Sequence, residues 1–202
     1  MDIILTWTGP AGPGRFPGDP ETLEAMQAPG VYLRAKVYDG DRIVGYVGQS
    51  QNVLSRIDQH LTGLLSLHQT VRDGTGRIVA RGDFADRLSA YDDIGPAMAL
   101  ATSDAARMRF YVAFCGEAFD ADRLNLVEGA LKDRMEEIAG RRAGLIDCEN
   151  RQGIAADPFD GVVRIESDPS ALDADHAEIV ERLIGADAIE IAEATLGLGH
   201  AE

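Results

Sequence analysis

The chain has 202 residues, with 34 acidic against 19 basic side chains and a formal net charge of −15. That balance argues against a histone-like or purely electrostatic nucleic-acid binder, which must displace counterions from phosphates, and against adhesion to an anionic membrane surface. At 45% apolar and 26% charged residues, the composition suits a globular protein of one domain, or one domain with an appendage.

No apolar run approaches the roughly 20 residues of a membrane helix. Asp2 followed by Ile3, Ile4 and Leu5 lacks the basic start and long apolar stretch of a signal peptide, which points to the cytoplasm. Cys115 and Cys148 read as reduced thiols rather than a disulfide. The charge is uneven: residues 1–150 hold 22 acidic and 16 basic side chains, residues 151–202 hold 12 and 3. This asymmetry predicts a body with an acidic C-terminal extension.

In chain order, 2–7 reads as a short strand. Residues 9–20 carry four Gly and four Pro and read as irregular. A short helix over 21–27 starts at Asp19-Pro20. Segment 30–48 is a β-hairpin: Val31, Leu33, Ala35 and Val37 alternate with polar positions, as do Ile43, Gly45 and Val47 after Asp39-Gly40. A two-residue turn would mix apolar and polar residues on each face. An odd loop centred on Gly40 instead pairs Leu33 with Val47, Ala35 with Gly45 and Val37 with Ile43, which makes one face wholly apolar. Tyr32, Arg34, Tyr46 and Gly48 then share the other face.

Residues 52–65 have a helical period, with Leu54, Ile57, Leu61, Leu64 and Leu65 on one stripe and Ser50 or Asn52 as cap. Arg56 and His60 lie four apart beside it. A second hairpin turns at 73–76, and 83–106 has helical character broken at Gly95-Pro96. Residues 107–116 read as a core strand and 120–139 as a long helix capped by Asp120 or Asp122. A strand is expected at 161–166 and one or two amphipathic helices over 173–195. His68, His176 and His200 have no partner pattern and read as surface residues.

On a helical wheel Leu124, Val127, Leu131, Met135 and Ile138 share an arc, and Glu128 falls at its edge. A carboxylate there loses solvation and needs a cation, a donor or a proton. It either reaches water or serves as metal ligand or general acid/base.

Gly30-Val31-Tyr32 and Tyr46-Val47-Gly48 resemble the two halves of the GIY-YIG nuclease signature. The stretch QSQNVLSRIDQH, with Arg56 and His60, is similar to that family's following helix. NLVEGALKDRMEEIAGRRAGLIDCEN resembles its Glu-bearing helix and later Asn, which Glu128 and Asn150 match. The resemblance spans 30–65 and 107–150, with Gln49 where a number of members have Lys. It implies an α/β fold with a small antiparallel three-stranded sheet flanked by helices. Residues 1–29 would be an N-terminal extension, 30–150 the nuclease domain with 66–106 as an insertion after the first core helix, and 151–202 the acidic C-terminal extension.

The resemblance further implies a metal-dependent DNA endonuclease using Mg²⁺ or Mn²⁺, held by Glu128. Tyr32 would deprotonate the attacking water and His60 would receive its proton. Arg56 would clamp the phosphate, Tyr46 would position it, and Asn150 would support the site. Arg72, Arg77 and Arg81 are expected phosphate contacts. The alternative is a weakly active or inactive binding or regulatory protein of the same fold, acting through protein contacts. The C-terminal extension is a candidate homo-oligomer interface.

Overall fold

The structure is a computed structural model and describes residues 1–114, 121–150 and 162–192. In chain order the elements are β1 (Asp2–Thr6), β2 (Thr8–Ala11), α1 (Pro20–Ala25), β3 (Gly30–Val37), β4 (Ile43–Ser50), α2 (Val53–Leu65), β5 (Val71–Arg72) and β6 (Ile78–Ala80). There follow α3 (Phe84–Asp92), α4 (Ile94–Ala105), β7 (Met108–Phe114), α5 (Ala121–Arg141), β8 (Ile146–Cys148), β9 (Val162–Asp168), α6 (Ala174–Ile184) and β10 (Ile189–Ala192). Cys115, Asp120 and His200 lie outside the described residues, as do the expected helical positions 193–195.

The fold is mixed α/β. β3 and β4 pair in the odd-loop register, with Leu33 opposite Val47, Ala35 opposite Gly45 and Val37 opposite Ile43. A single 3-10 turn at Asp39–Asp41 joins them. β7 pairs antiparallel with the other side of β3. The expected three strands are therefore adjacent, but they sit inside a five-stranded sheet of order β2-β7-β3-β4-β8. β2 corrects the expectation of irregular chain at 9–20. An edge strand needs only one ladder and so tolerates Gly9 and Pro10, and its pairing with β7 is interrupted by a register shift. β8 pairs parallel with β4.

Helix α2 begins at the Asn52 cap, whose side chain accepts from Ser55 N at 2.9 Å. Its buried residues are Val53, Ile57, His60 and Leu64, whereas Leu65 is exposed. His60 thus lies within the buried stripe, not beside it. The insertion forms the expected hairpin, closed by Asp73 accepting from Thr75 N and Arg77 N. Its helical part splits at Asp93, and Pro96 falls in the first turn of α4, where a missing N–H costs little.

The insertion is pinned to the sheet by buried charge. Lys36 Nζ donates to Asp104 Oδ2 at 2.8 Å, Tyr38 Oη donates to Oδ1 at 2.5 Å, and Arg72 N donates to Oδ2 at 3.1 Å. Lys36 and Asp104 are each about 1% exposed, so removing either partner strands a charge.

The two ends of the chain fold together. β1 pairs parallel with β9, and β10 pairs antiparallel with β9. The segment after Gly185 is therefore a strand over 189–192, where a second helix was expected. Ile189 and Ile191 alternate with exposed Glu190, a period that suits pairing with β9. Ile3, Leu5, Trp7, Val163, Ile165, Val180, Leu183 and Ile184 share one core with α5 and the apolar face of β3 and β4. Within the described part of this region, Val163, Ile165, Val180, Leu183, Ile184 and Ile191 are buried in that core. No helix among the described residues is long and apolar enough to cross a membrane.

If residues after 162 complete the core, Leu183→Ala lowers the unfolding free energy by about 2–5 kcal/mol in a urea titration. A change within experimental scatter would mark the C-terminal segment as a dispensable appendage.

Candidate active site

Tyr32 and Arg34 on β3, Tyr46 and Gly48 on β4, and Arg56 and His60 on α2 gather on the polar face of the hairpin. Register explains part of this, since Tyr32 stands opposite Gly48 and Arg34 opposite Tyr46. The two tyrosine rings lie 6.1 Å apart, stacked. Gly48 is required there: a Cβ at that position would sit 2.3 Å from Tyr32 Oη. Gly30 has a similar role, because a Cβ would come within 2.7 Å of the Ala113 carbonyl oxygen of β7.

The hydrogen bonds fix the protons. Arg34 Nη1 lies 3.0 Å from His60 Nδ1, and His60 Nε2 lies 2.8 Å from Tyr32 Oη. A guanidinium only donates, so Nδ1 accepts and the imidazole carries its proton on Nε2. His60 therefore donates to Tyr32 and has no free position to receive its proton. The resemblance implies the opposite role for His60, that of proton acceptor. Burial, followed by the charges of Arg34 and Arg56, lowers the His60 pKa from 6.5 to about 2.

Arg34 is the site residue that the sequence analysis placed on this face without a role. It is 4% exposed. Nη1 also donates to Gln69 Oε1 at 3.3 Å, Nη2 is ion-paired with Glu149, and the guanidinium lies 4.9 Å from the Tyr46 ring centre. Glu149 accepts from Arg72 Nε at 3.0 Å as well. Burial alone would raise the Glu149 pKa, but Arg34, Lys36 and Arg72 together lower it.

A cleft of about 450 Å³ opens over this network. Tyr46, Arg56, His60, Arg81, Arg34 and Glu149 are among its walls. Tyr32 lies behind them with 0% exposure. Burial and then Tyr46 raise the Tyr32 pKa, while Arg56 and Arg34 pull it back. Arg56 is half-buried and donates from Nη1 to Gln59 Oε1 at 2.6 Å.

The expected phosphate arginines separate. Arg72 is 7% exposed, bound to Glu149 and Asp147, and donates to the Gly76 carbonyl, so its charge is already neutralised. Arg77 sits on the hairpin tip beside Asp73, away from the cleft walls. Arg81 is exposed and faces the cleft. His68 also reaches it, as an exposed side chain.

Asn150 does not face the cleft. Its side chain accepts from Val47 N at 2.9 Å and donates to Val47 O at 2.7 Å, continuing the β4 edge past β8. It thereby holds the strand that carries Tyr46 and Gly48. Cys148 is a free, half-buried thiol next to it.

Glu128 is 7% exposed on α5. Burial raises its pKa from 4.5 to about 7, against the opposing charges of Lys132 and Arg56. Arg56 is thus the link between Glu128 and the cleft. Among the described residues no group of three or more His, Cys, Asp or Glu side chains forms a metal cage. One undercompensated carboxylate does fit Mg²⁺ or Mn²⁺ shared with a substrate phosphate and water.

The two buried titrations oppose each other. Below pH 6.5 the unfolded chain binds a proton at His60 that the fold refuses, so stability falls on acidification. Between pH 4.5 and 7 the fold holds a proton on Glu128 that the unfolded chain has lost, and that contribution fades as pH rises. In chelator-treated protein, Glu128→Gln should therefore lose unfolding free energy more steeply than the wild type as pH drops from 6.5 to 4.5. Equal slopes in urea titrations across that window would contradict the assignment. Compared with protein-family models, curated proteins and solved structures, the chain matches none of them.

Proposed function

We propose that this protein is a metal-dependent endonuclease of the GIY-YIG type that hydrolyses phosphodiester bonds in DNA. The supporting observation is the gathering of Tyr32, Tyr46, Arg56 and His60 at one polar cleft, with Glu128 within charge reach of Arg56. Arg56 and Arg81 are the cleft cations without a carboxylate ion pair among the described residues.

In this reading Arg56 leaves Gln59 and clamps two phosphoryl oxygens with its fork, which also uncovers the path to Tyr32. Tyr46 donates its hydroxyl hydrogen to the same phosphate. Tyr32, as phenolate, accepts the proton of the attacking water. Two donors hold that phenolate, His60 Nε2–H and Arg56. The water oxygen bonds to phosphorus and the 3′-oxygen leaves. A divalent cation on Glu128 would neutralise charge on the phosphoryl and leaving oxygens. Because burial raises the Tyr32 pKa, the reactive form gains ground with pH.

The second reading is a protein that binds nucleic acid without efficient cleavage. The complete burial of Tyr32 favours it. One assay separates the two: plasmid cleavage with Mg²⁺ or Mn²⁺, alongside DNA binding. The nuclease reading expects Tyr32→Phe, Arg56→Ala and Glu128→Ala each to lower the rate at least about 100-fold. Arg77→Ala should cleave at the wild-type rate, and the wild-type rate should climb as pH rises above neutrality. Cleavage that survives both Tyr32→Phe and Glu128→Ala contradicts the site. Binding without cleavage under either metal selects the second reading.

A further inference from the structure

On the opposite face of the five-stranded sheet, a second pocket of about 410 Å³ is lined by Arg15, Ser103, Arg107, Arg109, His176 and Ile179, among others. Arg109 stands opposite Ala35 in the β3–β7 ladder, so its side chain leaves the sheet on the Ala35 side, away from Tyr32 and Arg34. The pocket is thus separate from the cleft described above.

Each guanidinium is held by a neutral partner. Arg109 Nη1 donates to the carbonyls of Ala106 and Met108 at 2.9 and 2.8 Å. Arg107 Nη1 donates to Val37 O at 3.2 Å and its guanidinium carbon lies 5.4 Å from the Tyr38 ring centre. Arg15 Nη1 donates to His176 Nε2 at 3.3 Å, which leaves His176 Nδ1–H to donate to Tyr111 Oη at 2.9 Å. His176 is accordingly half-buried and held between two partners, where the sequence pattern suggested a free surface histidine.

None of the three arginines forms an ion pair with a carboxylate among the described residues. On the cleft face Arg34 and Arg72 are paired with Glu149, and Arg56 and Arg81 share the unpaired state of these three. Three guanidiniums without a direct carboxylate ion pair thus border one concavity. Burial first, and then the neighbouring charge of Arg15, pulls the Arg109 pKa down. Two carboxylates lie near without pairing: Asp173, which caps α6 and whose charge reaches Tyr111, and Asp39, which with Arg107 borders Gly74.

We infer that this pocket binds a phosphate monoester or free phosphate dianion through Arg15, Arg107 and Arg109. A tetrahedral dianion offers several acceptor oxygens, and three guanidiniums from two chain segments, Arg15 on a loop and Arg107 and Arg109 at the start of β7, supply matching donors. Ser103, on α4 at the rim, adds a hydroxyl. The volume admits a phosphate with a small substituent, and the apolar Val37 and Ile179 in the wall suit that substituent.

The test is calorimetric titration of the full-length protein with inorganic phosphate and, separately, with adenosine 5′-monophosphate. Arg15 is exposed and on a loop, so Arg15→Ala keeps the fold, and Arg109→Gln is the second variant. The inference expects saturable binding that weakens about tenfold or more in both variants and is unchanged in Arg77→Ala, whose side chain borders neither pocket. Tighter binding of the nucleotide assigns the site to a nucleotide ligand, and equal binding assigns it to the phosphate group alone. No saturable binding of either probe overturns the inference, as does binding that only Arg56→Ala removes. Weakened duplex DNA binding in Arg15→Ala and Arg109→Gln, with phosphate binding intact, would also overturn it in favour of a macromolecular surface.

Discussion

The candidate site depends on one buried charge, the guanidinium of Arg34. It stands in the middle of β3, the central strand of the five-stranded sheet, whose two faces are both covered. A cation at 4% exposure persists only if its surroundings neutralise it and use its donors. Those partners come from distant parts of the chain: His60 from α2, Gln69 from the start of the insertion, and Glu149 from beyond β8. By partnering Nη1 and Nη2 of Arg34, while its buried Nε has no hydrogen bond among the described residues, the fold brings segment 66–80, α2 and the chain after β8 to one place. The same bonds set the imidazole proton on Nε2 and aim it at Tyr32.

The network explains how an acidic protein can present a cationic cleft. Three carboxylates near the sheet are taken up by internal ion pairs. Glu149 and Asp147 bridge Arg34, Arg42 and Arg72, and Asp104 neutralises Lys36 in the core. What faces the cleft as unmatched charge is Arg56 and Arg81, with Glu128 close enough to feel Arg56. Long-range attraction of a polyanion is poor for a chain of net −15.

The sequence made local features legible and long-range ones not. The hairpin register followed from the alternation of Val31, Leu33, Ala35 and Val37, because a one-residue slip would have turned apolar residues outward. The Asn52 cap and the turn at Asp73 were equally local. The strand β8 has three residues and pairs parallel with β4 from a hundred positions away, so no periodicity announces it. The union of β1 with β9 is of the same kind. At the site, Arg72 had the residue type of a phosphate contact, but whether it was free depended on Asp147 and Glu149, whose positions only the fold supplies. Arg34 carried one readable signal: an arginine inside an otherwise buried strand, on the face of the two tyrosines, must have partners.

The protonation of His60 is where this account is most exposed to test. Long-range ¹H–¹⁵N correlation spectra of the imidazole, recorded from pH 8 to 5, read tautomer and charge directly. The account predicts a neutral ring with its proton on Nε2 throughout, because Arg34 occupies Nδ1 and the ring's pKa lies at about 2. A proton on Nδ1, or a ring that becomes cationic near the ordinary value of about 6.5, would contradict it.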